Sequence, residues 1–458
     1  MSFFQKCHAV ILGGFPVWTS NRDEIILRML LGLYALAPAL FVFVEMSPTV
    51  LALVGGLMGA LTLLTKGVRF GRATIGLVFA LALLSGFVLS SALWSVDASR
   101  SLSAAKDVFG YAIAVILLVH GILTLPSAQR DRLAGASLFG MFIGLVSVMG
   151  WELYFAFFTA DPRFVENVFT LHKITVYGAF FAVIFLAQPR LVWKGLAALF
   201  AVLTLLYGQS TGVNLAIVVV AVMFVMPAKY RHHALVGFFA VYLSLALIAP
   251  FVISPLFAYL KTTAWLAFYP GTFAARLDLW QMISPSIADQ PLLGHGANTM
   301  RNAVGVVVNP TYYAQVDLPS AHNIVFDLWY ELGALGIIVY GVLLAAIIRV
   351  IRPLSGSCHS IASNCLIIAV IELSVDHRIW LSWVLGTLVF TASICMVQCR
   401  SVTGPGIGHR TTRRTATLAE NGARTAAALC RSGKPRLSAI IRPRPAPSWS
   451  RYSCGLSR

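Results

Sequence analysis

The sequence predicts an all-α protein that threads a membrane about twelve times and carries one long loop on the outer side. Three observations predict it: the composition, a train of apolar runs, and the placement of positive charge. Of 458 residues, 58% are hydrophobic and 11% charged, with a mean hydropathy of +0.82. A soluble domain carries about 25% charged residues. A helical span needs roughly 20 mostly apolar residues, and twelve runs approach that length: 25–44, 49–65, 73–94, 108–125, 133–159, 174–188, 191–207, 213–227, 234–256, 323–348, 360–375 and 379–399. The third, ATIGLVFALALLSGFVLSSALW, is the clearest, and the sixth to eighth are short. With twelve spans and the N-terminus inside, the inner segments hold 26 of the 34 Lys and Arg residues. Without the 12 that follow residue 399, the split is still 14 to 8, as expected when cytoplasmic segments carry the excess of positive charge.

Residues 1–24 form a cytoplasmic N-terminus. Their apolar stretch MSFFQKCHAVILGGFPVW lacks the small-residue cleavage pattern of a signal peptide. Residues 25–260 hold nine spans, 261–321 the outer loop, and 322–400 three more spans. Residues 401–458 carry 11 Lys and Arg against one Glu, so +10 of the net +17 lies in this tail. The rest of the chain, at +7, carries what the inside bias explains, so the charge does not indicate nucleic-acid binding. The tail is rich in Arg, Thr, Ala, Gly and Pro and reads as disordered. It suits contact with anionic lipid on the inner side, or it is a non-native extension. The seven cysteines fall in spans or on the inner side, so no structural disulfide is expected. Cys395 and Cys399, one turn apart, read as small apolar residues.

The outer loop is the place to look for chemistry, because loops of this length are functional or disordered. It contains FAARLDLW, PLLGHG and NPTYYAQ. Phe273, Leu277, Trp280 and Ile283 recur at helical spacing, which predicts an amphipathic helix on the bilayer surface or against the bundle. Pro285 should end or kink it.

Ionisable residues at membrane depth are costly and are functional candidates. Inside spans stand His120, Glu152, Asp327, Glu331 and Glu372, and on the outer side Arg163, His172, Lys173, Arg276, His295, Arg301 and His322. In LPSAHNIVFDLWYELGALG, residues 318–336, Ser320 can cap the following helix, which sets His322 in its first turn. The positive helix end favours a neutral imidazole able to accept a proton. Asp327 and Glu331, four apart, share a face and could orient the ring. The competing reading of His322 is a polar residue opening a helix at the interface. Arg276 can pair with phosphate through two parallel hydrogen bonds or snorkel to headgroups. Gly294 and Gly296 of PLLGHG could bring backbone close to a ligand, and His295 reads as a loop residue. Asp278, Asp289 and Asp317 are scattered, so neither metal ligation nor a nucleotide-phosphate loop is indicated.

FAARLDLW, PLLGHG and SAHNIVFDLWYELGALG, in this order, together with SALWSVDASRSL at 91–102, resemble the O-antigen ligase and polymerase family of bacterial envelope enzymes. The resemblance covers roughly residues 25–400. It implies a GT-C-like helical membrane fold that transfers or polymerises glycan from undecaprenyl pyrophosphate at the periplasmic face of the inner membrane. In that picture Arg276 binds the pyrophosphate and His322 takes the proton of the acceptor hydroxyl, with inversion, without metal or cofactor. Asn323, Asp327, Glu331, Gly294 and Gly296 would support them. Ligases of the family usually carry a further Arg after the span that ends here near Tyr207. This chain has GQSTGVNLA there, so Arg301, Lys173 or Arg163 would supply the second cation. The Ser-Thr of that stretch and HKITVYG at 172–178 look more like the exopolysaccharide polymerase branch. Implied partners are the undecaprenyl-pyrophosphate-linked glycan, an acceptor (a lipid-linked repeat unit or lipid A-core), the bilayer, a flippase and a chain-length regulator, and no nucleic acid. The alternatives are an O-antigen ligase acting on lipid A-core and, from another class, a secondary transporter.

Overall fold

Inside a bilayer every backbone N–H and C=O must be satisfied within the protein, and an α-helix does this within one segment. The computed structural model describes residues 22–44, 46–66, 72–158, 167–207, 210–261, 272–302, 321–354, 356–375 and 380–402. Among these, every regular element is helical. The helices are α1 Arg22–Phe43, α2 Ser47–Lys66, α3 Arg72–Ser90, α4 Ala98–Thr124, α5 Ser127–Phe158, α6 Asn167–Leu186, α7 Leu191–Tyr207, α8 Thr211–Val225, α9 Ala228–Lys261, α10 Thr272–Asp289, α11 Ile324–Ile351, α12 Gly356–Val375 and α13 Ser382–Val402. Nine of the described helices are long and apolar enough to cross a membrane. Three shorter apolar stretches, Lys173–Leu186, Leu191–Tyr207 and Thr211–Val225, lie at the sixth, seventh and eighth expected spans. The chain is a multi-pass, all-α membrane protein. The stretch 1–21, Arg163, Tyr312, Tyr313, Asp317, Ser320 and the tail from 403 onward lie outside the described residues.

Local chemistry explains the helix ends. Asp97 caps α4 by accepting the Arg100 N–H, and α4 stops before Pro126 because a residue preceding proline is pushed out of the helical region. Ser210, from the stretch compared above with the polymerase branch, caps α8 by accepting the Val213 N–H. Pro285 does not end α10. Pro285 lies inside it, and the helix continues four residues further, to Asp289. Pro285 forfeits one backbone bond, but Ile283 and Ile287 on either side of it are buried in the core, and that burial holds the segment helical.

Helices approach closely where side chains are smallest, the usual device of membrane bundles. α2 and α4 meet backbone to backbone at Gly59 and Gly121, where a Cβ on Gly121 would fall 2.6 Å from the Gly59 Cα. Aromatic rings fill the middle: Tyr34 and Phe41 of α1 pack on Phe390 of α13 at 5.1 and 5.3 Å, and Phe41 packs on Tyr177 of α6 at 5.3 Å. Polar side chains join helices at depth. The Gln398 amide donates to the Ala134 carbonyl at 2.9 Å and the Ser137 hydroxyl at 2.7 Å, and the Trp329 indole donates to the Ala246 carbonyl at 2.8 Å.

The α2–α4 contact leads to a direct test. Gly59→Leu forces overpacking against backbone that cannot yield, and should destabilise the protein by about 2 kcal/mol or more. Gly76 of α3 has open space around its Cα, so Gly76→Leu should leave stability unchanged. Thermal unfolding of both variants in detergent, beside wild type, reads the difference.

Candidate active site at the head of α11

Asn323 is the residue that caps α11. Its backbone is extended (φ −159°, ψ 116°), and its side-chain oxygen accepts the Val325 N–H at 2.8 Å. His322 therefore precedes the helix and does not sit in its first turn as expected. The reason is conformational: His322 adopts φ +50°, a left-handed geometry that cannot continue into a helix. For a residue other than glycine this costs roughly 1–2 kcal/mol, so neighbouring contacts must hold it.

Those contacts converge on Ala321, which is fully buried. Its N–H donates to the Asp327 carboxylate at 2.7 Å, and its carbonyl accepts the Trp280 indole N–H at 2.9 Å. Hydrogen bonds to charged groups contribute about 1.5–3 kcal/mol and neutral ones about 1, enough together to offset the strain at His322. The Trp280 ring also stacks on Phe326, with centroids 5.2 Å apart and planes 7° from parallel. Trp280 follows Arg276 by one turn of α10, so the two share one side of the helix. The half-buried Arg276 and the half-buried His322 are thus borne on two elements that a single tryptophan joins.

Nine residues into α11 the helix breaks. Gly333 has φ +62° and ψ −163°, and the segment 291–296, PLLGHG, fits into the gap. The His295 N–H donates to the Tyr330 carbonyl at 2.9 Å and the Gly296 N–H to the Glu331 carbonyl at 2.8 Å. In return the Ala334 N–H donates to the Pro291 carbonyl at 2.8 Å. The contact demands glycine on both sides. A Cβ on Gly294 (φ +64°) would fall 2.6 Å from the Glu331 oxygen, and one on Gly333 would fall 2.7 Å from the Leu293 nitrogen. A Cβ at Gly294 would meet α11 and one at Gly296 would meet Ser95. The His295 ring packs on Tyr330 at 4.5 Å, and its Nε2–H donates to the Ser286 carbonyl at 3.0 Å near the end of α10.

Residues 91–102 brace the same loop from its other side. The Trp94 indole donates to the Leu293 carbonyl at 3.0 Å, the Val96 N–H to the His295 carbonyl at 3.0 Å, and the Ser101 hydroxyl to the Ala297 carbonyl at 2.9 Å. Asp97 accepts from the Asn302 amide at 3.3 Å. Hydrogen bonds from the Ser99 hydroxyl, first, and the Arg100 N–H hold the Asp97 carboxyl down at about 2. A depressed folded-state value means that this contribution is complete above the ordinary carboxylate range and is lost only as pH falls toward 2. Its ion pair with Arg100, at 3.0 Å and partly exposed, adds little in water.

The carboxylates Asp327 and Glu331 accept from backbone and indole donors. Asp327 holds Ala321. Glu331, almost fully buried, accepts the Met300 N–H at 3.2 Å and the Trp380 indole N–H, tying the loop and the start of α13 to α11. Glu152 accepts the Thr204 hydroxyl at 2.8 Å between α5 and α7. Arg301 is exposed in the short 3-10 turn Met300–Asn302 that Glu331 anchors. Lys173 is on α6, its ammonium 5.6 Å from the Trp383 ring centroid; Trp383 is one turn beyond Trp380. The sequence reading missed the roles of Trp280, Trp380 and Ser101, which are polar handles on residues that pattern alone scores as apolar or neutral. A tryptophan one turn after a candidate arginine was the available signal.

No curated protein matches the chain in a sequence comparison. Residues 196–341 do match the family model described as O-antigen ligase. That segment runs from α7 through α10, the 291–296 loop and the head of α11, and so contains Arg276, Gly294, His322, Asn323 and Glu331. Over these residues the chain is similar to the O-antigen ligase family.

Proposed function

We propose that the protein polymerises lipid-linked oligosaccharide repeat units, carried on undecaprenyl pyrophosphate, at the periplasmic face of the bacterial inner membrane. The observation that carries this reading is the junction of α10 with the head of α11, where Trp280 joins the helix of Arg276 to the residue before His322. A transferase of this kind needs a cation for the departing pyrophosphate and a base for the incoming hydroxyl, held in fixed relation. Arg276 fills the first role through bidentate pairing, with Arg301 and Lys173 as further cations for the lipid phosphates. His322 fills the second. It takes the acceptor hydroxyl proton as the oxygen attacks the anomeric carbon, the bond to the pyrophosphate oxygen breaks, and the configuration inverts. Neither a metal nor a cofactor enters this scheme. Asn323 sets the start of the helix behind the base. Asp327 and Glu331 secure the backbone around it, with Gly294 and Gly296 docking the loop.

The description of the matched family favours a second reading, in which the acceptor is lipid A-core and the protein is a ligase. The two readings share donor, base and cation and differ in the acceptor. Both are compatible with the multi-pass architecture and with the expected inside placement of the termini.

His322→Ala and Arg276→Ala, expressed from the native locus at normal membrane levels, should each lower glycan transfer by about 100-fold or more, the range of a lost general base. Gel profiles of extracted lipopolysaccharide and secreted polysaccharide read the outcome by chain length. Loss of long polymer supports polymerisation; uncapped lipopolysaccharide beside free polymer of normal length supports ligation. Unchanged profiles would leave both residues structural. Arg276→Lys keeps the charge and loses the fork, so it should recover only part of the activity, with the deficit chiefly in KM.

A further inference from the structure

We infer that Trp280 and Asp327 are positioning residues that hold His322 in its reactive geometry by gripping the peptide groups of Ala321, an inference that rests on the base role proposed for His322. Three observations lead there. His322 is one of only two residues other than glycine with positive φ among the described residues, so its backbone is held in a shape it would not take alone. The residue before it has both backbone groups engaged by side chains from different elements, the N–H by Asp327 of α11 and the carbonyl by Trp280 of α10. Finally, Trp280 cannot swing freely, because its ring lies flat on Phe326, three residues beyond the Asn323 cap. A loop residue with a strained backbone has few ways to stay in one place; here one buried and one partly buried hydrogen bond and one ring stack help to fix it.

The arrangement also couples the two halves of the proposed reaction. Arg276 lies one turn before Trp280 on α10, so the indole bond that holds the His322 backbone also sets how α10 meets α11. Displacement of a reacting group by about 1 Å can cost roughly 100-fold in rate. Loss of the indole donor should therefore appear in turnover even though Trp280 need touch neither substrate nor proton.

The test uses the purified full-length protein in lipid nanodiscs with, as donor, the lipid-linked oligosaccharide that accumulates in cells lacking the protein. Trp280→Phe retains a ring to stack on Phe326 and removes only the N–H donor. It should lower kcat by about 10- to 100-fold with KM within twofold and the unfolding temperature nearly unchanged. Asp327→Leu removes the acceptor and should lower kcat similarly. Asp327→Asn keeps an acceptor oxygen at the same place and should restore most of the rate. If Asp327→Leu does not fold, Trp280→Phe carries the test alone. Wild-type kcat per folded molecule in Trp280→Phe, or a raised KM at unchanged kcat, overturns the positioning role. The His322→Ala protein, run beside them, separates the two ideas. If it is inactive while Trp280→Phe is fully active, the base stands and the clamp falls; if it turns over normally, the base role itself is lost.

Discussion

The break in α11 at Gly333 is the feature on which the site depends. A broken helix at membrane depth leaves carbonyls that lipid cannot satisfy, each costing several kcal/mol if left alone. Here the Tyr330 and Glu331 carbonyls receive N–H groups from His295 and Gly296. Residues 291–296 are therefore part of the helix bundle rather than a flap above it, and the segments fastened to them inherit that fixity. Residues 91–102 reach the loop through Trp94, Val96 and Ser101, and α10 reaches it through the His295 ring. Four short motifs spread over more than 200 residues thus share one hydrogen-bonded junction.

The carboxylates illustrate how the membrane shapes this design. Acidic side chains at depth are expensive, and each acid traced at the head of α11 repays the cost by securing backbone donors or an indole. Asp327 fastens the residue ahead of His322, and Glu331 fastens Met300 and Trp380.

Much of the fold was legible in the sequence, because a span announces itself by length and apolarity alone. Among the described residues the twelve runs correspond to nine helices long enough to span and three shorter apolar stretches. The amphipathic helix of the outer loop was legible from Leu277, Trp280 and Ile283. Its length was not, since Pro285 reads as a stop or a kink and burial of Ile283 and Ile287 carries the helix through. The start of α11 misled for a related reason. Ser320 and Asn323 are both good caps, and what selects Asn323 is the left-handed backbone at His322, which depends on contacts from α10. The break at Gly333 was invisible because ELGALG in an apolar run suits a close-packed continuous helix equally well. Pairing between 291–296 and 330–335 is a long-range relation that no local pattern encodes.

Hydrogen–deuterium exchange of the protein in lipid nanodiscs tests the central claim most directly, read on peptides covering residues 291–297. If the loop is locked into the break in α11, the His295 and Gly296 amides exchange as slowly as amides in the middle of α11, over hours rather than seconds. Exchange of these amides within seconds, at the pace of an exposed loop, would contradict a fixed junction and with it the account of how His322 is held.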